Sequence, residues 1–131
     1  MRLRSAAVLG SGVMGAQIAA HLANAGLRVL MLDVSRDVAR EGLQRATRLK
    51  PDPFFTPDVP SLIRTGGFDE DLAQVGDADW IVEAIVEKLD AKQTLLARVD
   101  AVRRADSVVS SNTSGIPIAS IAEGRSDSFR R

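Results

Sequence analysis

Six residues near the N-terminus, Gly10-Ser11-Gly12-Val13-Met14-Gly15, restrict the fold more than any other stretch of the chain. They have the form G-x-G-x-x-G. The short apolar run 6–9 precedes them. Apolar residues at helical spacing (Val13, Ile18, Leu22, Ala25) follow, up to a helix stop at Asn24-Ala25-Gly26. A second apolar run, 29–32, ends at Asp33. Strand, glycine turn, helix and strand thus fit within about thirty residues, the length of a βαβ unit. In such a unit the first glycine allows the tight turn out of the strand. The second leaves no side chain between backbone and a diphosphate, and the third lets helix and strand pack closely. Free amides at Val13, Met14 and Gly15, together with the helix dipole, favour phosphate charge at that point.

Asp33 lies 18 residues after Gly15, close to the ~20 expected of an acid that binds the hydroxyls of an adenosine ribose. A carboxylate there repels a 2′-phosphate, so the spacing favours NAD over NADP. Two alternatives stay open from the residues alone. Asp33 could be a helix N-cap, and Arg36 close by could hold a 2′-phosphate.

Further along, 37–49 reads as a second helix whose Arg36, Arg40, Arg45 and Arg48 form a solvated face. Residues 51–60 contain four prolines and can be neither helix interior nor central strand. They read as a loop anchored by Phe54 and Phe55. The stretch 61–75 suggests a short helix and then an edge strand around Phe68. Residues 80–84 form a buried strand, 89–103 an amphipathic helix, 107–110 another strand, 111–115 a polar turn and 117–122 a short helix. About five strands with intervening helices imply an α/β domain with a doubly wound parallel sheet of the Rossmann type.

Composition excludes several classes. Lys+Arg and Asp+Glu both number 17 in 131 residues, so nothing points to nucleic acid. The chain has no cysteine, which removes disulfides and thiolate chemistry and fits a reducing compartment. No metal-ligand cluster stands out, and no apolar run approaches the ~20 residues of a membrane span. The N-terminal run is interrupted by Gly10 and Gly12 where a signal peptide would continue. A cytoplasmic protein is expected.

Two later clusters carry a resemblance. Ala78-Asp79-Trp80-Ile81-Val82-Glu83-Ala84-Ile85-Val86-Glu87 is followed by Lys92, and then by Ser110-Ser111-Asn112-Thr113-Ser114-Gly115-Ile116-Pro117. With the stretch 8–26, they resemble the NAD-binding domain of the 3-hydroxyacyl-CoA dehydrogenases of fatty-acid β-oxidation, over nearly the whole chain. The Asp-Pro-Phe-Phe-Thr-Pro segment is similar to that of long bacterial multifunctional members. The resemblance implies that NAD oxidises the 3-hydroxyl of an acyl-CoA. It further implies that Met14 lies beside the pyrophosphate, that Asp33 binds the adenine ribose, and that Ile85, Val86 and Glu87 line the floor near the nicotinamide half. Lys92 would contact the cofactor, and Ser114 would hydrogen-bond near the nicotinamide and the substrate oxygen with Asn112 close by. On the residues alone, Glu87 and Lys92 could equally form a surface charge contact, and Asn112 and Ser114 could be turn residues.

The family also implies a histidine base oriented by a glutamate, in a segment beyond Arg131. His21, in the middle of the first helix, does not suit that role. The resemblance therefore implies a domain cut before the last strand and before a C-terminal helical domain that binds substrate and forms a homodimer. Such a chain is expected to bind NAD without turning over substrate. A 3-hydroxyisobutyrate or 6-phosphogluconate type of dehydrogenase and a non-catalytic NAD-binding module are the competing readings. The Ser-Asn-Thr-Ser motif argues against the first.

Overall fold

The computed structural model describes residues 3–49, 53–54, 56–85 and 88–111. Five strands form one parallel sheet: β1 (Ser5–Leu9), β2 (Arg28–Asp33), β3 (Ile63–Gly67), β4 (Trp80–Glu83) and β5 (Val108–Ser111). Their order is β3-β2-β1-β4-β5. The chain starts in the middle of the sheet, winds outwards to β3, then crosses back to β4 beside β1. The C-terminal ends of β1 and β4 therefore lie where the winding reverses, the place at which open α/β sheets bind ligands.

Each central strand faces core on both sides, which is why the strands read as unbroken apolar runs. From β1, Ala6 and Val8 enter one core cluster, with Val29 and Met31 of β2 and Val82 of β4. Ala7 and Leu9 enter the other, with Leu30, Leu32 and Ile81. Helix α1 (Val13–Asn24) covers the first face with alanines, Ala16, Ala19, Ala20 and Ala23. Small side chains let the helix lie close to the sheet, as the third glycine of the motif requires. Helix α4 (Leu89–Val102) covers the second face with Leu95, Leu96 and Val99. Burying each such leucine contributes about 1.5–3 kcal/mol.

Helix α2 (Arg36–Thr47) starts at Ser35, whose hydroxyl accepts from the Val38 amide at 3.2 Å. Ser35, not Asp33, is the N-cap. The helix buries Ala39, Gly42 and Ala46. Its arginines are exposed as expected, but three have partners: Arg36 forms ion pairs with Asp71 and Glu70, Arg40 with Asp37, and Arg45 donates to the Ser11 carbonyl at 3.3 Å. The proline-rich loop is held to α1. Phe54 is buried in the first core cluster, and the Asn24 side chain donates to the Pro53 carbonyl at 2.8 Å. Phe55 lies outside the described residues.

The stretch 61–75 departs from the sequence reading. A 3-10 turn, Val59–Leu62, leads into β3, which ends at Gly67; Phe68 begins the short helix α3 (Phe68–Asp71), and a second 3-10 turn, Leu72–Asp77, follows. The strand therefore lies before Phe68 instead of around it. The reason is the Asp71 carboxylate, which folds back on the strand end and accepts from the Gly67 amide at 2.9 Å. A Cβ on Gly66 would come within 2.5 Å of that carboxylate. The sequence 112–131, including the expected helix 117–122, lies outside the described residues.

Candidate functional site

The glycine loop is built by three close approaches. Gly10 has φ +113°, and a Cβ on it would meet the Ala84 carbonyl oxygen at 2.6 Å. Its amide donates to the Leu32 carbonyl at 2.7 Å, tying the turn to β2. A Cβ on Gly15 would come 2.0 Å from the Gly10 carbonyl oxygen. Gly12 is different: it is exposed, and a Cβ there would meet nothing within 4 Å. Gly10 and Gly15 are therefore required by the fold, whereas the protein itself asks nothing of Gly12. Gly12 is the N-cap of α1. No side chain caps the helix, and its first turn holds no acidic residue. The positive end of the dipole is left open to an outside anion. Val13 and Met14 are exposed there, at 64% and 53%.

Asp33 closes β2 on the same side. Its Oδ2 accepts from the Ser11 amide at 2.7 Å and the Ser11 hydroxyl at 2.6 Å, while Oδ1 accepts from the Val34 amide at 2.7 Å. A carboxylate has about four acceptor directions. Three serve the chain, which orients the group and leaves about one for a ligand hydroxyl. Gly10, Gly12, Asp33, Ala84 and Ile85 line one cleft of 680 Å³, continued along α4 by Thr94 and Arg98. The loop after β1 and the acid after β2 thus share a single opening.

The nearby cation raised by the sequence is committed elsewhere. The Arg36 guanidinium holds Asp71 with two hydrogen bonds of 2.9 Å and Glu70 at 3.0 Å. That guanidinium, with the Gly67 amide, lowers the Asp71 carboxyl to about 2. With Arg36 so paired, a 2′-phosphate beside Asp33 would meet a carboxylate and no free Arg36. The residues fit NAD.

At the other end of the cleft, Ile85 is half-buried and its amide donates to Glu83 Oε2 at 2.7 Å. Lys92 differs from the sequence reading of its contacts. Its side chain is 0% exposed, and its Nζ sits 2.8 and 2.7 Å from the two carboxylate oxygens of Glu83, also 0% exposed. The Lys92–Glu83 pair is buried; a contact between Lys92 and Glu87 lies outside the described residues. Val86, Glu87, Asn112 and Ser114 lie outside the described residues. His21 is exposed in the last turn of α1 and is not among the residues lining the cleft.

Sequence reasoning passed over four residues that shape this site. Ser11, 1% exposed, links Asp33 to the loop. Gly42 admits α2 against that loop, since a Cβ there would approach the Ser11 carbonyl oxygen to 2.3 Å. Glu83 and Ser111 meet across β4 and β5 through a hydroxyl-to-carboxylate hydrogen bond. The available signal was Glu83 itself, an acid inside the apolar run Trp80-Ile81-Val82-Glu83-Ala84-Ile85. A charge in a buried strand demands a partner.

Residues 5–130 match the family described as 3-hydroxyacyl-CoA dehydrogenase, NAD binding domain. The chain is 45% identical over 138 residues to a probable 3-hydroxyacyl-CoA dehydrogenase of Deinococcus radiodurans, covering 100% of this chain and 40% of that protein. It is 41% identical over 149 residues to one of Bacillus subtilis, covering 98% of this chain and 19% of that protein. Among solved structures, 3-hydroxybutyryl-CoA dehydrogenase of Escherichia coli K12 superposes with a TM-score of 0.85 at 26% identity, over 99% of this chain and 29% of that one. The chain thus spans well under half the length of these relatives. No helix among the described residues is long and apolar enough to cross a membrane. The open helix start, the carboxylate facing it and the sequence match converge: the chain belongs to the 3-hydroxyacyl-CoA dehydrogenase family, as an NAD-binding domain of Rossmann type.

Proposed function

We propose that the protein containing this chain oxidises (S)-3-hydroxyacyl-CoA to 3-oxoacyl-CoA with NAD. The observation that carries this reading is the shared cleft of the glycine loop and Asp33, in a chain of this family. The amides of Val13, Met14 and Gly15 would receive the diphosphate, with Gly12 admitting it to the backbone. The open acceptor direction of Asp33 would take a ribose hydroxyl. Ile85, Val86, Glu87, Lys92, Asn112 and Ser114 would serve the nicotinamide half, and Ser114 would hydrogen-bond the substrate oxygen. When bound, NAD supplies the hydride acceptor for the carbon that carries the 3-hydroxyl. The proton of that hydroxyl needs a base near neutrality. His21 does not line the cleft, so the base comes from outside these residues, with a helical domain that completes the acyl site and forms a homodimer. A long multifunctional parent is supported by 32% identity, over 98% of this chain, to a putative fatty acid oxidation complex trifunctional enzyme of Rickettsia felis.

Two measurements test this. Calorimetric titration of the chain should give binding of NAD and at least tenfold weaker binding of NADP. The full-length protein should oxidise NADH in the presence of acetoacetyl-CoA, and the chain alone should not. Equal affinity for NADP, or full turnover by the chain alone, would refute the respective parts.

A further inference from the structure

The backbone amides of the glycine loop are not equivalent. The Gly10 amide donates to the Leu32 carbonyl, and the Ser11 amide to Asp33 Oδ2. The Gly12 amide has no acceptor among the described residues. Its direction is set by the peptide to which it belongs. In a trans peptide the carbonyl and the N–H that follows it point opposite ways. The Ser11 carbonyl faces α2: the Arg45 guanidinium donates to it at 3.3 Å, and a Cβ on Gly42 would come within 2.3 Å of its oxygen. The Gly12 N–H therefore points away from α2. Gly12 lines two openings, the cleft shared with Asp33 and a 280 Å³ groove against α2 that Arg45 also lines. Turned from the groove, the N–H is directed to the cleft side.

The loop by itself does not secure that orientation. Gly12 is exposed, and glycine accepts positive φ about as readily as negative, so the peptide between Ser11 and Gly12 could turn over at little local cost. The ties of Ser11 to Asp33 run through its amide and hydroxyl and do not hold its carbonyl. Turned over, the peptide would present the Ser11 carbonyl oxygen to the cleft, where its partial negative charge would repel an anion. The guanidinium on α2 separates the two states. It has donors and no acceptor, so it holds a carbonyl there and never an N–H.

We propose that Arg45 is a positioning residue: by holding the Ser11 carbonyl against α2, it keeps the Gly12 amide turned to the cofactor diphosphate, as a donor beside those of the first helical turn. It acts through the peptide and does not touch the ligand. This rests on the NAD reading above. The test uses ADP-ribose, which carries the diphosphate without the nicotinamide ring, with the whole chain and its Arg45→Met variant. Arg45 is exposed, so the melting temperature of the variant should stay within about 4 °C of wild type. Arg45→Met should bind ADP-ribose at least threefold more weakly. It should keep that deficit in 1 M salt, where a charge acting across solvent is screened within about 3 Å. In the amide NMR spectrum, ADP-ribose should shift the Gly12 proton downfield in wild type and by less than half as much in Arg45→Met. Unchanged affinity, a deficit that disappears in high salt, a clearly lower melting temperature or an equal Gly12 shift in both proteins would overturn the proposal. Failure of wild type to bind ADP-ribose would instead overturn the diphosphate reading itself, and this proposal with it.

Discussion

Gly12 has φ −65° and ψ −171°, a conformation open to any residue, and a methyl group on its Cα meets no atom of the protein within 4 Å. Gly12→Ala therefore strains nothing. Glycine is a better N-cap than alanine by several tenths of a kcal/mol, while alanine restricts the unfolded chain by about 0.4–1 kcal/mol. The two effects offset, so stability should stay within about 1 kcal/mol and the melting temperature within about 4 °C. For the ligand the outcome differs. A phosphate oxygen sits about 2.9 Å from an amide nitrogen, whereas a methyl group holds it off at about 3.5 Å or more. Losing two hydrogen bonds to a charged group, each about 1.5–3 kcal/mol, weakens binding by roughly 100-fold or more. Gly15→Ala is the control: its Cβ would lie 2.0 Å from the Gly10 carbonyl oxygen, and the loop and helix must part. That costs about 3 kcal/mol. Thermal melts and NAD titration of both variants separate the effects. Wild-type affinity in Gly12→Ala, or a melting temperature as low as that of Gly15→Ala, would refute the assignment of the diphosphate to this helix start.

Other substitutions probe the supporting contacts. Asp71 titrates at about 2 in the folded chain against 3.8 for the free group, so its contribution is fully present above about pH 4 and is lost as pH falls through 2. Because Arg36 is 58% exposed, water screens the pair and the contribution is roughly 1 kcal/mol. Asp71→Asn should lower the urea midpoint at pH 6 and narrow its gap to wild type at pH 2.5; a constant gap would refute this. Asp33→Ser alone should not confer NADP binding, because Arg36 stays held by Asp71. Asp33→Ser/Asp71→Asn should raise NADP affinity at least fivefold over the single variant, and an equal response of both would dismiss the role of that pairing. Leu96→Ala, emptying a site 1% exposed under the sheet, should cost 2–5 kcal/mol in chemical unfolding; a loss under 1 kcal/mol would mean that α4 does not seal the core.

The first βαβ unit was legible because everything that specifies it is local. An apolar run, three glycines, a stripe of small residues and an acid lie within one stretch of chain, and turn chemistry and helical period act over a few residues. The same locality explains the departure at Phe68, where no period marks β3. That strand ends at Gly67 because a carboxylate four residues later folds back onto it. Tertiary structure alone decided the partners of the charges. Arg36 finds Asp71 35 residues away, Ser111 finds Glu83 across 28, and Ser11 joins Asp33 across 22. Composition names a buried or half-buried charge that needs a counterpart. Which counterpart it meets depends on which strands become neighbours, and in a parallel sheet those neighbours are brought together only by long crossovers.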